Sequence, residues 1–273
     1  MLFFICIKYI QLIYYKQPIV PSVNELFYLP NLLYLTIILY VSDILFGLFH
    51  ETTHAITARY YGIKNININL GRRLVHIVYQ TQIPNIWSLK KEQRKILYLS
   101  GMIADIFLLL IITLIGHYFL IHNMMLLYYC TRVIILALFL GILFELKLYM
   151  RTDVYYLISD IMEKPNLHQD SMKILRHPSI EWANADRNLK SYFIIMTISS
   201  FIEVYVFLKF LLPFMYNSAK EVWNIYLRYP NNDLNDYGTV FAIFLVFLEL
   251  FLLCFLWVNE RKKKHKKLEI DNT

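Results

Sequence analysis

Charge is what this chain has least of. Of its 273 residues only 17% are Asp, Glu, Lys or Arg, where a soluble domain would carry about a quarter. Hydrophobic residues make up 58% and the mean hydropathy is +0.46, which excludes an ordinary soluble domain and describes an integral membrane protein. Cysteine is scarce as well. Cys6, Cys130 and Cys254 each lie inside an apolar run and share no metal-ligand spacing, so they read as small hydrophobes rather than a disulfide framework. A small-x-small cleavage site is missing after the apolar N-terminus, where Lys16-Gln17-Pro18 stands instead; a retained weak span is expected, with an interfacial helix as the other reading. The excess of base, +7, falls in loops between apolar runs. That argues against a nucleic-acid partner and for Lys and Arg held on the cytoplasmic side of a bilayer.

What is present is a series of apolar stretches. They predict an all-α membrane protein of about six transmembrane helices with a small membrane-associated β-hairpin. Residues 1–30 form the weak first span and an external loop, 31–167 a membrane core, 168–258 a cytoplasmic segment with two further spans, and 259–273 a basic tail. The second span starts near residue 31 and ends at Gly62, a plausible C-terminal stop. The third covers about 97–121 and the fourth about 124–150, joined by a tight turn at His122-Asn123. The fifth and sixth cover about 192–215 and 239–258. Between the second and third, Asn65 to Leu70 alternates polar and apolar residues, and Leu74 to Ile83 is rich in β-branched ones. Gly71-Arg72-Arg73 separates them, which predicts a hairpin. The basic loop after Gly62 and the run Arg261 to Lys267 put both termini in the cytoplasm of a multi-pass cell-membrane protein, expected to be bacterial.

The second span ends in His50-Glu51-Thr52-Thr53-His54, an H-E-x-x-H pattern. Four residues apart on a helix means one face, so both imidazoles can reach one metal ion. Glu51 points about 100° away around the axis, close enough to handle a water without being a ligand. A catalytic zinc ion takes three protein ligands and leaves one position open, so a third group is needed at the same depth. Asp105, Glu145 and Asp153 all lie near the inner face, and depth alone leaves the three open.

Three separated pieces of sequence resemble the site-2 protease family of intramembrane zinc metalloproteases, in its peptide zinc metalloprotease subgroup. The first is His50-Glu51-Thr52-Thr53-His54-Ala55 with Ala58-Arg59-Tyr60-Tyr61-Gly62. The second is Gly101-Met102-Ile103-Ala104-Asp105, where Asp is not the family's usual last residue. The third is Arg151-Thr152-Asp153-Val154-Tyr155-Tyr156 with Pro165-Asn166-Leu167, where Val154 replaces the usual glycine. Lys147-Leu148 stands where the family has an Asn-Pro pair. The match covers roughly residues 31–167. It implies Zn²⁺ held by His50, His54 and Asp153, with Glu51 as general base, in an endopeptidase working near the cytoplasmic face. It further implies a peptide or transmembrane substrate and an association with a peptide export or modification system. A catalytically silent immunity or export partner that keeps the fold is the alternative.

Other residues invite narrower expectations. Ile66, Asn67 and Ile68 form a candidate edge strand to which an extended substrate could add. Asp43 shares the histidine face and, with Asp105, is a candidate outer-shell partner, although two to three turns separate Asp43 from His50. Glu203 and Glu249 fall at similar depths on the last two spans, where a shared proton is one reading, and Arg132 has no evident partner in sequence. Glu181 is a less favoured third ligand, since it lies in a polar segment away from any span.

Overall fold

The computed structural model describes residues 20–73, 76–228, 236–245, 247–248 and 251. The expected first span and half of the last, with Glu249, lie outside the described residues. A short helix α1 (Val23–Leu26) leads into α2 (Leu32–Tyr60), whose start is capped by the Asn31 side chain accepting from the amides of Leu33 and Tyr34 at 3.0 and 3.2 Å. Helix α2 ends where Gly62 takes φ +88°, a left-handed conformation that a side chain disfavours. An antiparallel hairpin follows, β1 (Asn67–Arg73) and β2 (His76–Gln82), with Ile68 opposite Thr81. Helices α3 (Lys91–Ile121) and α4 (Met125–Glu145) form an antiparallel pair about the turn at 122–124. A single 3₁₀ turn (Leu148–Met150) then introduces α5 (Asp153–Ile161), α6 (Leu167–Arg176) and α7 (Pro178–Asn184). Helix α8 (Arg187–Val206) continues through a π segment (Phe207–Leu211) into α9 (Leu212–Arg228), and α10 covers Asp236–Leu245.

Among the described residues four helices are long and apolar enough to cross a membrane: α2, α3, α4 and the continuous rod Arg187–Arg228. They are buried against one another only along narrow stripes, and their large apolar side chains elsewhere are exposed, as lipid-facing helices require. On α3 the buried positions Leu97, Gly101, Asp105, Leu109 and Thr113 recur every fourth residue, one ridge facing α2 and α4. Gly116 prolongs that ridge against Thr131 of α4, whose hydroxyl oxygen a Cβ would approach to 2.7 Å; small residues let apolar helices pack closely. On α2 the matching stripe is His50, His54 and Ala58.

Several boundaries differ from those the sequence suggests. The fourth span stops at Glu145 rather than 150, because the Lys147 to Arg151 segment tightens into a 3₁₀ turn and Arg151 takes a left-handed conformation. The fifth does not stop at 215 but runs to Arg228, since residues 214–228 hold no Gly or Pro to end it. Pro213 is accommodated by the π segment just before it, which relieves the clash of its ring with the carbonyl four residues earlier. Gly71-Arg72-Arg73 belongs to β1 rather than separating the two strands.

Candidate metal centre

His50 and His54 lie on the buried stripe of α2, one turn apart, and Asp153 opens α5 beside them. The three ligand atoms form a small triangle. Nε2 of His50 is 3.0 Å from Nε2 of His54, and Oδ2 of Asp153 is 3.2 and 2.6 Å from them. The other ring nitrogens are committed. Nδ1 of His50 donates to Oδ2 of Asp105 at 2.6 Å, and Nδ1 of His54 donates to the Leu97 carbonyl at 2.8 Å. Each Nε2 of a neutral ring therefore carries a lone pair, not a proton, toward the carboxylate. Three lone-pair atoms this close repel unless a proton or a cation sits among them. A tetrahedral zinc ion with ligands about 2.0 Å away would have them about 3.3 Å apart. The His50–His54–Asp153 cluster is a group that can hold a metal ion.

Neighbouring elements fit the same purpose. Gly101 packs so close that a Cβ there would overlap Nε2 of both histidines, so α3 can approach this side of the centre only through a residue without a side chain. Glu145, at the end of α4, accepts from the Asp153 amide at 3.0 Å through Oε2, while its backbone carbonyl accepts from the fully buried Thr152 hydroxyl at 2.5 Å. Helix α5 is thereby started in a fixed place. Its far end is tied to α3 by Arg94, whose guanidinium meets Oδ1 of Asp160 at 2.6 Å and whose plane lies over Trp87.

Glu51 is half-buried next to the triad, and its partner comes from the hairpin. The Thr81 amide donates to Oε2 of Glu51 at 2.7 Å and the Thr81 hydroxyl donates to the Glu51 carbonyl at 3.0 Å. An amide turned toward Glu51 is turned away from β1, so the outer edge of β2 faces the centre. Ile66, Asn67 and Ile68, the strand suggested from sequence, lie on the other side of the hairpin, whose two strands each keep one free edge among the described residues. Ile66 precedes β1 and packs with Ala58, Ile63, Leu89 and Leu97, while Asn67 and Ile68 sit on β1, which meets α2 less extensively than β2 does.

Asp105 stands where the sequence suggested, against His50. Asp43 does not: it is exposed on α2, about 10 Å along the axis from His50, whose Nδ1 Asp105 has taken. Glu145 is a brace for Asp153, and Glu181 on α7 is not in the cluster. Arg132 has a partner after all, Oε2 of Glu25 at 2.7 Å, supplied by α1 from 107 residues earlier in the chain. Glu203 pairs with Lys147 at 2.7 Å and accepts from the Tyr149 hydroxyl, while Glu249 lies outside the described residues. Thr81, the Leu97 carbonyl and the Arg94–Asp160 pair carried no motif that could have singled them out. Comparisons with protein-family models, with curated proteins and with solved structures find no match.

Proposed function

We propose that this protein is an intramembrane zinc metalloendopeptidase of the site-2 protease kind, cleaving a peptide or membrane-anchored substrate near the cytoplasmic face. The observation that carries the reading is the convergence of two imidazole nitrogens and one carboxylate oxygen within 3.2 Å, with a carboxylate of no ligating role one residue from the first histidine. Two neutral nitrogens and one carboxylate are a donor set suited to zinc that leaves a position open. Bound zinc would supply Lewis acidity, polarising a carbonyl and making a water acidic enough to react near neutral pH.

The protein's own part is positioning and proton transfer. Glu51, held by Thr81, accepts a proton from the attacking water on a carboxylate oxygen and returns it to the leaving amine. The outer edge of β2 offers backbone groups to an extended substrate strand lying beside Glu51. A helical segment would have to unwind to use that edge, since its amides are otherwise bonded internally. Six spans, cytoplasmic termini and a small exported or signalling peptide as substrate complete the proposal. They draw on the basic loops and on the sequence resemblance.

The test is the purified full-length protein in detergent or lipid, with metal content and peptide cleavage measured together. Wild type should contain zinc and cleave. Glu51→Gln should keep the zinc and lose cleavage by several orders of magnitude. A Glu51→Gln variant that cleaves as well as wild type defeats the mechanism. A wild-type protein that holds zinc without cleaving any presented peptide favours the silent-partner alternative.

A further inference from the structure

We propose that Asp105 is a positioning residue of the metal centre, a carboxylate that holds the His50 ring in the orientation and tautomer in which Nε2 binds zinc. The inference rests on the zinc reading above and adds to it a residue outside the ligand set. Its geometry is specific. Oδ2 lies 2.6 Å from Nδ1 of His50, short for a nitrogen–oxygen hydrogen bond, as expected when the acceptor is charged. Since a carboxylate only accepts, the proton must be on Nδ1, and the lone pair of Nε2 is left for the metal.

The second oxygen shows that Asp105 is poorly explained as a fold element. Oδ1 is buried and has no hydrogen-bond partner among the described residues, and the whole residue is only 6% exposed on a helix that crosses the membrane. A half-satisfied carboxylate in such a place disfavours folding unless a nearby positive charge compensates. An ion held by His50 would provide it, one imidazole away. Placement on α3 follows the same stripe: Leu97, whose carbonyl holds His54, Gly101, which clears room for both rings, and Asp105, which holds His50, are successive turns of one face. The two histidines are thus braced unequally, His54 by a neutral carbonyl and His50 by a charge. His50 is the ligand whose orientation is most strongly determined.

Asp105→Ala and Asp105→Asn in the full-length protein test this, with zinc affinity measured by competition against a chromophoric chelator. The cobalt-substituted protein gives a second readout, its visible absorption. The Ala variant should bind zinc about 10–100-fold more weakly and show an altered cobalt spectrum. The Asn variant keeps an oxygen acceptor for Nδ1 without the charge, and should recover most of the affinity and the parental band shape. An Ala variant that binds zinc as tightly as the parent, or an Asn variant no better than Ala, overturns the inference and leaves the zinc reading intact. A parent that binds no zinc overturns both. Helical circular dichroism of each variant separates loss of metal from loss of fold.

Discussion

The amide of Thr81 and the carboxylate of Glu51 meet at 2.7 Å, and the Thr81 hydroxyl returns to the Glu51 carbonyl at 3.0 Å. One residue of a surface hairpin thereby grips, at both ends, the residue proposed as general base. Two consequences follow for the hairpin: it is anchored at β2, and any displacement of β2 moves Glu51.

Thr81→Pro removes the amide donor and leaves the metal ligands untouched. Cleavage should fall roughly 10²-fold, the scale of effect expected when a catalytic group is misplaced by about 1 Å. Zinc content should not change. Thr81→Val, which keeps the amide, should lose far less. Equal cleavage by the proline variant and wild type would show that Glu51 needs no help from β2.

Gly101→Ala should strip the centre of metal, because the added methyl would overlap Nε2 of both His50 and His54. Substitution at Gly141, where a Cβ meets nothing within 4 Å, is the matched control and should leave zinc bound. Metal analysis of the two purified variants decides; full occupancy in the Gly101 variant would mean that α3 sits further from the histidines.

Arg94→Ala leaves Asp160 buried without its cation and releases the far end of α5. The expected loss is roughly 3 kcal/mol of stability, the range for breaking one side of a buried pair. Because α5 begins with Asp153, zinc affinity should fall along with the unfolding midpoint. Stability lost with zinc affinity unchanged would indicate that Glu145 alone determines where Asp153 points.

Glu25 responds to pH. Burial pushes its pKa up, but hydrogen bonds from Arg132 and Ser22 and the Arg132 charge outweigh burial and hold the carboxyl below its ordinary value. A depressed pKa contributes stability that is complete above the unfolded-state value and fades as pH falls through the folded-state value. The thermal midpoint of the protein should therefore drop as pH falls below the ordinary glutamate range of about 4.3. Glu25→Gln should be less stable at neutral pH and should show a shallower drop over that window. Parallel pH curves for the two proteins would exclude the pair as the cause.

Much of this molecule was legible one residue at a time. Low charge and long apolar runs predict membrane helices because an unpaired backbone has no place in hydrocarbon. H-E-x-x-H predicts a shared histidine face because the helical period is 3.6. Boundaries differ where local signals are weak: the helix of the fifth span passes Pro213 through a π segment and runs on to Arg228, and Gly71 belongs to β1. Glu25 and Arg132 illustrate a harder case. Each taken alone is an isolated charge near an apolar run, and no local pattern relates positions 107 residues apart.

By itself the sequence determined the elements and the chemistry they carry: apolar rods, a hairpin, two imidazoles one turn apart and a glutamate between them. Short-range periodicity and side-chain type suffice for those. Asp153 is singled out among three carboxylates by resemblance and not by depth, whereas which edge of the hairpin touches Glu51 and which of Asp43 and Asp105 holds His50 are decided only by tertiary structure. The reason is geometric. Asp105, Glu145 and Asp153 share a depth, but depth is one coordinate, and a metal centre depends on the packing of α3, α4 and α5 about α2 to within a few tenths of an ångström.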